Sequence, residues 1–279
     1  MDNGTLSAGE TSLGGQYAGG YGIFVQKGGI HTVKNPLILR GTTERVDEYW
    51  SSYSLSDGVL RCPSLSLQTL SWFYQTGGSN LISGTLTVAG TFYYENLIYE
   101  LEGGTLASSN TVINRSTFAQ SGGTHIASNS LVLQFAGYDG PRASTYALSG
   151  GFLLASNIDV AGIFSLADAT DSKTIYNPGR FSLNGTLRTG NVNQDLGRFI
   201  LAGNSHIEFG SGASTYAFDD SSAAAWTNGS LLIISNWNGM VSGENALPFL
   251  AVEGIPFSVE GPATYERLAP LRNPAAVAV

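Results

Sequence analysis

Apolar positions along this chain recur in short runs, not in helical stripes. Gly84-Thr-Leu-Thr-Val-Ala89 alternates apolar and polar residues, and Ser130-Leu-Val-Leu-Gln134 is apolar over a few positions. Both lengths suit strands. Gly-Gly, Asn-Gly and Asp-Gly pairs punctuate the runs, and no long stretch of 3.6-residue period appears. The pattern therefore predicts many short strands joined by turns.

These runs belong to an internal repeat. Phe118-Ala-Gln-Ser-Gly-Gly-Thr-His125 is matched by Phe24-Val-Gln-Lys-Gly-Gly-Ile-His31 and Phe73-Tyr-Gln-Thr-Gly-Gly-Ser-Asn80. Phe199-Ile-Leu-Ala-Gly-Asn-Ser-His206 and Phe164-Ser-Leu-Ala-Asp-Ala-Thr-Asp171 are weaker copies. A second unit alternates with the first: Tyr146-Ala-Leu-Ser-Gly-Gly-Phe-Leu153, Tyr99-Glu-Leu-Glu-Gly-Gly-Thr-Leu106 and Tyr53-Ser-Leu-Ser-Asp-Gly-Val-Leu60. Phe181-Ser-Leu-Asn-Gly-Thr-Leu187 is a shorter version, and Gly4-Thr-Leu-Ser-Ala-Gly9 fits it without the aromatic. Successive starts lie 17–29 residues apart. One such unit cannot bury its own apolar face, whereas stacked units can. The expected fold is all-β: a right-handed parallel β-helix, or β-solenoid, of about ten to eleven coils. At ~4.8 Å per coil it makes a rod on the order of 50 Å long. The leading aromatics (Phe24, Tyr53, Phe73, Tyr99, Phe118, Tyr146, Phe164, Phe181, Phe199 and Tyr216) are expected to form one stacked ladder. The paired glycines mark a corner that needs positive φ.

Composition narrows the function. Glycine supplies 36 of 279 residues, charged residues only 12%, and the net charge is −8. The acidic balance argues against nucleic acid as a partner. One cysteine, Cys62, excludes a disulfide scaffold and a CxxC metal or redox site. No apolar run approaches the ~18 residues of a membrane span, and the Met1-Asp2-Asn3-Gly4 start lacks the signature of a signal peptide. None of the common motifs for nucleotides, calcium, zinc proteases or serine nucleophiles is present. No cofactor is expected.

The phrases F-x-Q-S-G-G-T-H and Y-x-L-S-G-G-x-L resemble the repeats of bacterial autotransporter-passenger-like and PEP-CTERM-associated β-helix proteins. Leu231-Leu-Ile-Ile-Ser-Asn-Trp-Asn-Gly239 resembles a strand that closes such arrays. The resemblance covers about residues 4–240 and implies a bacterial, secreted or cell-surface solenoid. A C-terminal sorting motif and a translocator barrel are both missing.

Two regions are expected: a solenoid over residues 1–226, then a terminal strand, capping segment and proline-rich tail over 227–279. Five of the nine prolines lie beyond residue 247, and proline blocks ladder hydrogen bonds. The repeat begins by residue 4, which leaves no room for an N-terminal cap and suggests end-to-end self-association or a longer parent array.

Extra residues are concentrated at Arg40–Ser52, Ala89–Ile98 and Phe135–Thr145. Solenoid insertions map to one face, often the binding face. The candidate binding residues are Arg40, Asp47, Glu48, Tyr49, Trp50, Tyr93, Tyr94, Tyr138, Asp139 and Arg142, where rings beside charges suit a glycan. The competing reading is that the rings roof the core and the charges solvate the loops. His31, His125 and His206 share the eighth position of their units and read as structural rather than metal-binding, since coils in phase lie too far apart to share an ion. Asp47-Glu48 and Asp219-Asp220 are paired carboxylates, but strand neighbours point opposite ways. The sequence thus favours a non-enzymatic extracellular solenoid, structural, adhesive or fibre-forming. A carbohydrate-binding or carbohydrate-active β-helix is the alternative. The partners expected are a glycan or cell-surface ligand and the chain itself, without membrane insertion.

Overall fold

The structure, a computed structural model, describes residues 1–9, 11–14, 22–44, 47–90, 98–134, 143–166, 174–190, 194–210, 216–221, 223–235 and 257–260, with the backbone alone at 42–44, 47–49, 174 and 257–260. The chain winds into a parallel β-solenoid with three sheets per coil. Sheet I carries the leading aromatics of the repeat. Its eleven rungs are 23–26, 52–55, Ser71–Gln75, Ile98–Leu101, Thr117–Gln120, Thr145–Leu148, Ile163–Ser165, Thr186–Arg188, Ser205–Glu208, Leu232–Ser235 and Phe257–Glu260. Sheet II follows the Gly-Gly corner and runs from Thr5–Ala8 to Thr174–Tyr176. Two later strands, Gln194–Leu196 and Tyr216–Phe218, form a separate parallel pair. Sheet III runs from Thr11–Leu13 to Arg198–Leu201.

Because side chains alternate along each strand, every sheet sends alternate residues inward. In sheet III, Leu39, Leu67, Val88, Ile113, Leu133, Val160, Leu183 and Leu201 stack rung on rung. All are essentially inaccessible to solvent. Sheet I contributes the aromatic column. Tyr53, Phe73, Tyr99, Phe118 and Tyr146 stack at 4.8–5.0 Å with ring planes within 9° of parallel. That spacing is the inter-strand repeat itself, so the sheet imposes the ring separation.

The corners differ in chemistry. Between sheets I and II the second residue of each Gly-Gly or Asp-Gly pair has positive φ, +85° at Gly58 and +74° at Gly104. A Cβ on Gly104 would also lie 2.2 Å from the Gly78 carbonyl oxygen of the coil below. Both constraints select glycine. Between sheets II and III, serines and asparagines stack. Ser109 Oγ donates to the Ser83 carbonyl, Ser156 Oγ to the Ser128 carbonyl, and Asn129 Nδ2 to Asn110 Oδ1. Between sheets III and I, long and short connections alternate. The three insertions noted above all fall at this corner, while the coils between them turn tightly through Leu70 and Arg115, each at φ 52°.

Three expectations about phase are corrected. The aromatic ladder ends at Phe164, whose rung partner above is Leu187. Phe181 and Phe199 belong to sheet III, paired with each other and with Ile158, and Tyr216 lies in the separate pair beside Gln194. Leu6 pairs with His31 in sheet II, so the Gly4 segment is a post-corner strand and not a copy of the tyrosine unit. His206 lies outward in sheet I between Thr186 and Ile233, out of phase with His31 and His125. The physical reason is shared. Each coil passes three sheets, and a short alternating phrase, Phe-Ser-Leu or Gly-Thr-Leu, satisfies the inward alternation of any of them.

Candidate functional site

The buried polar residues of the N-terminal coils form a repeated hydrogen-bonded triad. Tyr53 Oη donates to Gln26 Oε1 at 2.6 Å and meets His31 Nδ1 at 2.9 Å. Tyr99 Oη donates to Gln75 Oε1 at 2.6 Å and accepts from Asn80 Nδ2 at 3.0 Å. Tyr146 Oη donates to Gln120 Oε1 at 2.5 Å and meets His125 Nδ1 at 2.8 Å. Each glutamine amide then donates to main-chain carbonyls, such as those of Val59, Thr105 and Phe152. One coil supplies the glutamine and the histidine or asparagine, and the next supplies the tyrosine. This explains the strict alternation of the two units: a buried phenol needs a polar partner, and a Phe-Gln-His coil beneath a Tyr-Leu-Leu coil supplies it. The glutamines were not among the sequence candidates, although the third position of the phenylalanine units, Gln where the tyrosine units carry Leu, was the signal.

Donor directions are determined around His125. Tyr146 spends its proton on Gln120, so its oxygen accepts from His125 Nδ1–H. Nε2 must then accept, and Thr111 Oγ1 lies 2.9 Å away, itself 2.9 Å from Ser108 Oγ. The ring is also stacked on Phe118 at 4.8 Å. Burial holds His125 neutral, pushing its pKa down to about 3. Burial lowers His31 as well and raises the phenols of Tyr99 and Tyr146 far above their ordinary value. The corresponding atoms one end of the solenoid away, Thr11 Oγ1 and His31 Nε2, are buried without a hydrogen bond. These groups are neutral and solvent-excluded, and they work as core.

The insertion face brings together only part of the predicted set. Arg40 Nε donates to Gln68 Oε1 at 2.7 Å, which spreads the guanidinium along the outer surface of sheet III. Thr42–Glu44 and Asp47–Tyr49 form an antiparallel hairpin that projects from the III-to-I corner. Asp47, Glu48 and Tyr49 lie in its second strand. Trp50 follows it and stacks on Trp72 of the next coil, centroids 3.9 Å apart and planes 11° from parallel. Trp72 was not a sequence candidate. It occupies an outward sheet-I position, and its strand neighbour pattern offered no contrast with the other outward residues. Tyr93, Tyr94, Tyr138, Asp139 and Arg142 lie outside the described residues. Asp219 and Asp220 are exposed just beyond the Tyr216–Phe218 strand.

Among the described residues, no group of three or more His, Cys, Asp or Glu side chains is placed to hold a metal ion. Nor is any described helix long and apolar enough to cross a membrane. Cys62 is buried, and burial pushes its thiol up to about 12. No family model, curated protein or solved structure matches the chain.

Proposed function

We propose that this chain is a non-enzymatic β-solenoid that acts outside the cell as a structural or adhesive element, a stiff rod that presents its III-to-I corner. The observation that carries the reading is where the reactive side chains go. His31, His125, Tyr53, Tyr99 and Tyr146 are spent on hydrogen bonds within the core. Over part of its length the outer face of sheet I carries short hydroxylic and aliphatic groups, Ile98, Thr117, Thr145, Ile163 and Thr186 in register, between Trp72 at one end of the row and His206 at the other. A second reading, glycan contact at the insertion corner, is favoured by the Trp50–Trp72 stack at the corner where the Ser51 hydroxyl bonds the Arg40 carbonyl, because aromatic rings suit a sugar face.

The test joins localisation to shape. Protease shaving of intact producing cells should remove the chain, and negative-stain images of the purified protein should show rods of roughly 50 Å or fibres one rod wide. Retention inside the cell would overturn the reading. For the second reading, Trp50→Ala and Trp72→Ala should abolish whatever glycan-array signal the native chain gives, with unchanged circular dichroism.

A further inference from the structure

A groove of about 530 Å³ runs across the coils on the outside of the II-to-III corner, far from the insertion hairpin in the coil path. Five successive coils line it, contributing in turn Thr32, Arg61, Leu81, Ala107 and Ile126, the outward row of sheet II. With strands ~4.8 Å apart, the groove is about 20 Å long. Its floor is apolar, since Leu81, Ala107 and Ile126 are half-buried there above Val33, Cys62 and Ile82. Its rim on the sheet-III side is a row of hydroxyls, Ser83, Ser109 and Ser128. Two of these donate their protons to the coil below, Ser109 to the Ser83 carbonyl and Ser128 to the Ser108 carbonyl, so their lone pairs remain free to accept.

Charge is confined to one end. Arg61 lines the groove and Lys34 stands two residues on from Thr32, its neighbour across the rung. Both are exposed, and among the described residues neither makes an ion pair. Among the described residues, no acidic side chain lines the groove.

We infer that this groove binds a strand of linear acidic polysaccharide, such as a uronic-acid polymer, laid along the solenoid axis. The coil repeat is close to the length of one extended pyranose unit, so successive sugars would meet equivalent Leu/Ala/Ile floor positions and serine rims. Sugar hydroxyls donate to the serine oxygens, sugar C–H faces cover the aliphatic floor, and a carboxylate meets Arg61 and Lys34. A peptide strand fits poorly. The groove crosses the face of a sheet whose main-chain donors and acceptors are already paired between coils, which leaves none for strand addition. The inference rests on the extracellular reading above, since that is where such polymers are met.

The test is calorimetric titration of the purified chain with an oligomannuronate hexamer, and with a neutral gluco-oligosaccharide of equal length. The hexauronate should bind about tenfold more tightly than the neutral oligomer and weaken as salt is raised. Arg61→Ala combined with Lys34→Ala should cost about tenfold or more, and Ala107→Phe, which fills the floor from outside, should remove binding. Trp50→Ala and Trp72→Ala should leave it unchanged. Thermal melts of each variant would show that the fold is intact. The proposal is overturned by equal affinity for the neutral oligomer, by indifference to Arg61 and Lys34, by displacement with a long-chain fatty acid, or by loss only in the tryptophan variants. A surface-exposed chain that ignores hexauronate sinks the groove alone. A chain retained inside the cell sinks the extracellular reading whatever it binds.

Discussion

The coils before Val160 and those after it solve the same packing problem differently. In the first region, aromatic side chains sit in one column of one sheet, and their rings lie parallel, as Tyr99 and Phe118 do at 4.8 Å and 8°. In the second, Phe164 and Phe181 meet edge-on at 87°, and Phe199 meets Phe218 at 52°. Those later rings come from different sheets and converge across the core, so no strand spacing aligns them. The first region also carries phenols and imidazoles along its aromatic column, whereas the sheet-I column of the second continues as Leu187, Ile207 and Ile234, with the buried amides of Asn177 and Gln194 bonded to main chain instead. The corners change too. Positive-φ glycine pairs turn sheet I into sheet II up to Gly151, and the alternation of long and short III-to-I connections ends where Leu183 to Thr186, due to be long, is short. Register within a column, more than the period of the repeat, decides how side chains meet.

The sharpest way to break this contrast is at the glycine corner. Gly104→Val combines a left-handed φ with a Cβ 2.2 Å from the Gly78 carbonyl oxygen. The φ strain costs ~1–3 kcal/mol and the overpacking ~1–3 kcal/mol more. Denaturant unfolding should therefore show a loss of about 4 kcal/mol or failure to fold. Gly229→Val also has positive φ, at +77°, but nothing stands within 4 Å of its Cβ. It should lose the φ part alone.

Acid should separate the regions next. His125 has a folded pKa of about 3 against an unfolded value of 6.5. Between these limits the unfolded chain binds a proton that the native chain refuses. The stability from this site is complete above pH 6.5 and falls as pH drops, by up to about 1.4 kcal/mol per unit, until about pH 3. By pH 4 the loss approaches about 3 kcal/mol on that slope. His125→Asn, the residue the neighbouring triad uses at position 80, should flatten this dependence in pH-resolved urea titrations. Hydrogen exchange should show the loss in the first region.

The triads themselves should respond asymmetrically. Gln120→Ala leaves the buried Tyr146 phenol without its acceptor and should cost about 1–3 kcal/mol. Adding Tyr146→Phe and His125→Leu removes the stranded partners, so the triple variant should recover most of that loss, because it makes this stretch apolar as the sheet-I column of the second region is at Leu187, Ile207 and Ile234. A triple variant no more stable than Gln120→Ala would show that the polar triads contribute beyond mutual satisfaction.

Much of this architecture was legible in the chain because its cues are local and repeated. Gly-Gly pairs announce a corner, short alternating runs announce strands, and recurrence announces stacking. The shift at Phe181 was not legible, since Phe-Ser-Leu serves sheet III as well as sheet I and the coil length hardly changes. The insertion corner was placed correctly from spacing alone, yet Trp72 was missed, because its contact with Trp50 bridges adjacent coils and leaves no periodic trace. The II-to-III groove was equally hidden. Its lining comes two or three residues at a time from five coils, each unremarkable in its own segment.

The smallest effect tests whether charge matters to the second region. Arg180 pairs with Asp159 across the outer surface of sheet III in a two-pronged contact, at 3.0 and 2.8 Å. Arg188 reaches Glu208 on sheet I at 2.9 Å. With side chains 49% and 28% exposed in the first pair, solvent screens most of the attraction, and exposed pairs contribute ~0–1 kcal/mol. Asp159→Ala and Arg180→Ala should each change unfolding free energy by less than about 1 kcal/mol, and a double-mutant cycle should give a coupling of about 0.5 kcal/mol that fades in high salt. A coupling several times larger would mean that these cross-coil pairs hold the second region in register, a task the first region gives to its stacked rings and glycine corners.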